Sequence, residues 1–175
     1  MDFIEKIIAR VKKNEKKKIV LPETDDVRTL EAAAITVKEN IADIYLIGKE
    51  EDILTLAKKN NISLEGCTII EPVKFKDFEL CVNTYYELRK AKGMTLSKAK
   101  EIMTNDYLYF GAMLVKLDYA DGMVSGAVHS SSDTLRVALQ IIKTAPNTKT
   151  ASSFFLMDTP QKQYGANGVF IYSDC

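Results

Sequence analysis

KIVLPETDDVRTLEAAAITVKENIADIYLIGKEEDILTLAKKN, residues 18–60, repeats one pattern twice. Ile19-Val20-Leu21 is a short apolar run stopped by Pro22. Thr24 or Asp25 can then cap a helix whose Leu30, Ala33, Ala34 and Val37 share one face. Ala42–Ile47 is a second apolar run, Gly48 breaks it, and EEDILTLAKKN is a second helix with acids in its first turn and lysines in its last, the arrangement the helix dipole favours. CTIIEP, residues 67–72, supplies a third short strand. Strands alternating with helices of this length need crossover connections. The sequence therefore predicts the α/β class, a mostly parallel sheet with helices against its faces in three α/β/α layers.

Between Asp77 and Asp118 the strands stop. FELCVNTYYELRKAKG, TLSKAKEIM and DYLYFGAMLVKLDYA are three helical stretches, the first closed by Gly93. Arg89 lies in its last turn, where a cation suits the dipole without any ligand. Residues 121–136, DGMVSGAVHSSSDTLR, hold two glycines, four serines, the chain's only histidine and an arginine. They read as a strand (Gly122–Ser125), a small-residue loop and a helix start. Free N–H groups at a helix N-terminus, with hydroxyls beside them, can receive a phosphate. Ser125, Gly126, Ser130, Ser131, Ser132 and Thr134 are the candidate donors. Serines in such a loop also serve as ordinary caps.

In the helix TLRVALQIIKT the stripe Leu135, Ala138, Leu139 and Ile142 is expected to be buried, which puts Arg136 off it, in the first turn. A cation is disfavoured there unless an anion is near, and a guanidinium offers two parallel donors to phosphate oxygens. Asp133 is the competing explanation, because a capping carboxylate or an Asp133–Arg136 ion pair satisfies the loop without a ligand. His129 has no evident orienting partner and reads as a hydrogen-bonded structural residue before it reads as a base. No G-x-S-x-G elbow supports a nucleophilic serine.

After Pro146, ASSFFLM and VFIYSDC flank DTPQKQYGANG and predict an antiparallel hairpin with Gly165 and Gly168 in its turn. This hairpin has apolar surface and an edge without evident cover. At the other end Ile4, Ile7, Ile8 and Val11 have the spacing of an amphipathic helix, expected to dock on the body, and KKNEKKK is its solvated end. The domain reading is residues 1–148 as the N-terminal part of a first α/β domain and 149–175 as the beginning of a second, incomplete one.

Composition narrows the function. Lys and Arg total 24 against 24 Asp and Glu, so no net field draws the chain to nucleic acid or to anionic lipid, and no apolar run reaches bilayer length. Any anion must be captured locally. Cys67, Cys81 and Cys175 are far apart without C-x-x-C spacing, as expected of reduced thiols in a cytoplasmic protein, and a metal site has little to build from.

ADGMVSGAVHSSSDTLRVALQIIKT (120–144), SSFFLM (152–157) and YGANGVFIYSDC (164–175) closely resemble the phosphate acetyltransferase family. IVLPETDDVRTLEAA (19–33) and YYELRKAKGMTLSKA (85–99) match it too, and phosphate butyryltransferases are the nearest competitor. The resemblance implies an isocitrate/isopropylmalate dehydrogenase-like fold and reversible acetyl transfer between coenzyme A and phosphate. Phosphate, acetyl phosphate and coenzyme A or acetyl-coenzyme A are substrates, with no permanently bound cofactor. It also implies that Ser125–Arg136 lines the substrate cleft and that Arg136 and Arg89 bind phosphate or coenzyme A groups. Val137 stands where the family often has a first-turn proline. The family's proposed thiol-deprotonating aspartate, with its serine and arginine, lies in a C-terminal part absent here, so no catalytic residue is assigned. The expectation is an N-terminal fragment, homo-oligomeric or completed by a C-terminal half. The alternative is a truncated, inactive phosphate-binding or interaction module.

Overall fold

The computed structural model describes residues 3–173. These fall into two compact units, 16–143 and the segments 3–15 with 144–173. In the first unit four strands, β1 (Lys18–Leu21), β2 (Asp43–Ile47), β3 (Thr68–Ile70) and β4 (Gly122–Met123), form a parallel sheet in the order β3-β2-β1-β4. Lys18 pairs with Asp43 and Leu21 with Leu46, while Ile19 faces Gly122 on the other side of β1. The first two crossovers step away from β1 on one side, and the third returns to its other side. The predicted α/β class and parallel sheet are present.

Alternation along the strands separates two cores. Leu21, Ile44 and Leu46 point to one face, which is covered by α2 (Val27–Lys38) and α3 (Glu50–Lys59) through Leu30, Ala33, Ile53 and Ala57. Val20 and Ile47 point to the other. That face carries α4 (Phe78–Arg89), α5 (Leu96–Asn105), α6 (Tyr107–Lys116) and α7 (Ser131–Ile141). Parallel strands buried on both faces need continuous apolar runs, which is why the strands show no polar alternation. Single 3-10 turns at Pro72–Lys74 and Lys90–Lys92 join elements, and Gly93 at φ 83° ends the second.

Three local expectations change. The cap of α2 is Asp26, which accepts from the Arg28 N–H, and not Thr24 or Asp25. Thr24 is buried and its hydroxyl donates to the Ile47 carbonyl at 2.7 Å, binding the β1 loop to the end of β2. The buried residues of α7 are Val137 and Ile141, while Leu135 and Leu139 are 50% and 45% exposed. The period is right and the phase is wrong, because residues 135–142 are apolar on nearly every side and offer more than one stripe. With α7 starting at Ser131, Arg136 and Val137 lie in its second turn, so neither the first-turn dipole argument nor the first-turn proline comparison applies.

The second unit contains α1 (Phe3–Val11) and a hairpin of β5 (Phe154–Asp158) and β6 (Val169–Ser173), with Phe155 opposite Tyr172 and Leu156 opposite Ile171. The expected helix and hairpin form, with Gly165 and Gly168 in the connection at positive φ. No residue of α1 is buried; of the predicted stripe, Ile4 and Ile7 are exposed and Ile8 and Val11 half-buried. Both faces of the hairpin carry exposed apolar side chains, among them Phe154, Phe155, Leu156 and Ile171. Asp174 and Cys175 lie outside the described residues; Cys67 and Cys81 are free thiols, and burial pushes Cys81 up to about 12.

Gly111 lets α6 lie against the sheet. A Cβ there would stand 2.9 Å from Val20 Cγ1 and 3.1 Å from Met123 Sδ, both in the packed core. Gly111→Val is expected to destabilise the protein by about 1–3 kcal/mol, the usual cost of overpacking. A urea unfolding midpoint unchanged from wild type would show that the sheet can shift to accept it.

Candidate functional site

In an open parallel sheet, the crevice outside the carboxyl ends of the strands where the winding reverses is the usual place for a ligand. Here that place lies between β1 and β4. The β1–α2 loop and the β4–α7 loop border it, and a crevice of about 220 Å³ is lined there by Leu21, Glu23, Arg28, Thr29, Val124 and Ser125 among others.

Glu23 dominates the geometry. Only 3% exposed, it sends its carboxylate into the β4–α7 loop. Oε2 accepts from the Gly126 and Ala127 N–H groups, both at 2.8 Å. Oε1 accepts from the Val128 and His129 N–H groups at 2.9 and 2.8 Å. Nδ1 of His129 adds a fifth contact, 2.9 Å from Oε1. Successive N–H groups turned inward form an anion-binding concavity, and in this protein the anion is internal. Burial pushes the Glu23 carboxyl up, but the backbone bonds from His129, Val128 and Ala127 and the His129 ring outweigh it and bring it down to about 2. Arg28 adds a strut: its guanidinium pairs with Asp26 at 2.6 Å and donates to the Ala127 carbonyl at 2.8 Å. The two loops are thus tied together through both backbone donors and a backbone acceptor.

The sequence-predicted residues can now be placed. Gly126 contributes its N–H to Glu23. Ser125 Oγ lies 3.4 Å from Thr134 Oγ1, joining the loop to α7. Ser130 is the N-cap of α7, accepting from the Asp133 N–H at 3.2 Å, and its hydroxyl also lies 2.8 Å from Ser132 Oγ and donates to Asp133 Oδ2 at 2.6 Å. Ser131 is exposed in the first turn. Arg136 pairs with Asp133 at 3.0 Å, its side chain 57% exposed. The Ser130 hydroxyl first, and Arg136 after it, hold the Asp133 carboxyl below its ordinary value.

Arg89 ends α4, and its Nε is buried without a hydrogen-bond partner. An orphaned guanidinium donor carries a desolvation cost that a ligand would relieve. Arg89 on α4 and Arg136 on α7 are 47 residues apart in the sequence, and Tyr109 of α6 touches both of their helices. Burial first, then the Asp106 carboxylate, raises the Tyr109 hydroxyl, and both arginines act against that rise. Tyr109 also packs edge-on against Tyr85 at 5.6 Å and lies 3.5 Å from the Gln140 amide oxygen. Tyr109 thus joins the two helices that carry the arginines. Among the described residues no group of three or more His, Cys, Asp or Glu is placed to hold a metal ion.

Glu23, Arg28 and Tyr109 escaped the sequence reading. Glu23 follows Pro22 at the end of a buried strand, and an acid there is the available signal. Its target lies 103 residues downstream. Tyr109 sits in a helix whose apolar residues mask it as core.

The sequence profile of the phosphate acetyl/butaryl transferase family matches residues 2–175. The chain belongs to that family. Its relatives include the phosphate acetyltransferases of Thermoanaerobacterium thermosaccharolyticum and Acetivibrio thermocellus, each 51% identical over all of this chain and 52% of their own length. Among solved structures, the EutD phosphotransacetylase from Staphylococcus aureus superposes with a TM-score of 0.82 at 34% identity, covering 98% of this chain and 51% of that one. A phosphotransacetylase from Streptococcus pyogenes gives 0.82 at 36% identity. The chain thus spans about half the length of these family members.

A carboxyl lowered from 4.5 to about 2 stabilises the fold fully above 4.5, and the contribution is lost as pH falls from there towards 2. Glu23→Gln is therefore expected to cost about 3 kcal/mol at pH 7. The gap to wild type should close as the pH approaches 2. Urea unfolding of both proteins across this range checks it, and a gap independent of pH would assign the loss to packing instead.

Proposed function

We propose that this chain is part of a phosphate acetyltransferase, carrying the side of the substrate cleft that receives phosphate or acyl phosphate. The carrying observation is that α4 and α7, which bear Arg89 and Arg136, meet at Tyr109, with the buried Nε of Arg89 left without a partner. Two guanidinium groups, one with an unpartnered Nε, suit a ligand with several anionic oxygens. The two relatives compared above are both phosphate acetyltransferases, which favours acetyl over butyryl transfer.

In the reaction, the sulfur of coenzyme A attacks the carbonyl carbon of acetyl phosphate. The bond from that carbon to the phosphate oxygen breaks, and the thiol proton passes to a base. Arginines on the phosphate oxygens would balance the charge of the leaving group and orient the acyl phosphate for attack. Coenzyme A is a substrate and no resident cofactor is required. Since the chain spans half of its relatives' length, the active species is this chain joined to the remaining half, in one polypeptide or as a second one. The exposed apolar hairpin favours such completion or self-association, and a cytoplasmic setting fits substrates of central acyl metabolism.

Acetyl-coenzyme A formation from acetyl phosphate and coenzyme A should appear when the missing half is supplied. Activity of the 175-residue chain unaided would place the base within it. Inactivity of the completed protein favours the phosphate-binding or interaction module, and faster turnover of butyryl phosphate favours butyryl transfer. In the active form, Arg136→Ala should raise KM for acetyl phosphate about 10–100-fold, the worth of a charge-assisted contact. The unfolding midpoint should barely move, since its ion pair with Asp133 is exposed. Arg136→Lys should recover little, because lysine lacks the two-donor fork.

A further inference from the structure

The loop between β4 and α7 has the shape of an anion site, yet the N–H groups of residues 126–129 all point at the Glu23 carboxylate. A phosphate using those donors would have to expel a buried carboxylate held by five contacts. The donors left for a ligand are the first-turn N–H groups of Ser131 and Ser132 in α7, the hydroxyls of Ser125 and Ser131, and the guanidinium groups of Arg136 and Arg89. Nδ1 of His129 faces an ionised carboxylate and so carries the ring proton in the neutral form, which makes Nε2 an acceptor. Nε2 makes no hydrogen bond to a described residue, and the side chain is 37% exposed.

We propose that Glu23 is a positioning residue: its carboxylate fills the loop's anion nest permanently, so that substrate phosphate is held by side chains and the first turn of α7, not by the amides of residues 126–129. This rests on the phosphate site proposed above. Glu23 sets where α7 begins, because the loop it clamps ends at the Ser130 cap, and α7 carries Arg136. The same clamp presents Nε2 of His129 on the outer side of the loop. Removing the carboxylate should then do two things. It should empty a nest of backbone donors that a small free carboxylate can refill, and it should loosen the phosphate site without touching a ligand contact.

Glu23→Ala is the test, read first by thermal unfolding of the 175-residue chain in sodium formate against sodium chloride at equal ionic strength. The proposal expects formate to raise the melting temperature of the variant saturably and to leave wild type unmoved. Equal responses in the two salts overturn the nest. The second reading is inorganic phosphate binding by calorimetry, with acetyl phosphate KM in the completed enzyme. Phosphate affinity should fall about tenfold or more in the variant, the scale of one lost charge-assisted contact, and recover with formate. Unchanged affinity overturns the positioning role. So does tighter phosphate binding by the variant, since phosphate would then be using the vacated backbone donors.

If Glu23→Ala does not fold, Glu23→Gln gives the same affinity measurement. The nitrogen-15 shifts of His129 then supply the second readout, moving from the Nε2-acceptor pattern in wild type to a mixture of tautomers in the variant. An unaltered pattern counts against the clamp. A completed wild-type protein that binds phosphate but makes no acetyl-coenzyme A would sink the proposed activity and leave the clamp standing. Wild type that binds no phosphate would sink both.

Discussion

A carboxylate is the one protein group that can accept from several adjacent backbone N–H groups at once, having two oxygens and no proton to donate. Glu23 uses that property across 103 to 106 residues of sequence. Burying a charge is unfavourable, and the penalty is visible as the burial contribution that raises its carboxyl. Five contacts reverse it. The consequence reaches beyond the loop, because the clamp sits where the central strand β1 ends and where the chain turns into α7. Every side chain that α7 presents, Arg136 included, takes its position from that junction.

Sheet order makes the clamp possible. With β4 beside β1, the two strands end together and their outgoing loops meet. Gly111 lets α6 lie close against the sheet, and Tyr109 on the same helix touches Tyr85 of α4 and Gln140 of α7. The larger core beneath this face holds α4 to α7 in place with Tyr85, Phe110, Met103 and Met113 fully buried. A rigid floor of this kind can carry an arginine whose Nε has no partner. The packing that fixes Arg89 offsets the desolvation cost of the orphaned donor.

The site therefore separates two kinds of donor that the primary structure presents as one. Loop amides are structural and closed by Glu23. The Arg136 guanidinium, exposed on α7, stays outside that clamp. Side chains can adjust to a ligand while a clamped backbone holds its place. The hairpin is a contrasting case: its pairing is regular, yet its apolar residues on both faces stay exposed.

Residues 18–60 determined the fold class unaided, because strand–helix alternation, Pro22, Gly48 and the dipole-matched charges of α3 are local signals, each set by neighbours within a few residues. The three helices between Asp77 and Asp118, and the loop and helix around Ser130, were legible for the same reason. What tertiary structure alone decided is which of several locally equivalent options is used. α7 buries Val137 and Ile141 instead of Leu135 and Leu139, since only its partners α4 and α6 can choose among apolar stripes. Asp26 caps α2 because Thr24 is drawn to Ile47 on a neighbouring strand. The loop at 126–129 looked like a cradle for a ligand, and the sheet order brought Glu23 to fill it. Long-range pairing of this kind leaves no periodicity in the chain, since the groups that meet are set by strand order and not by spacing.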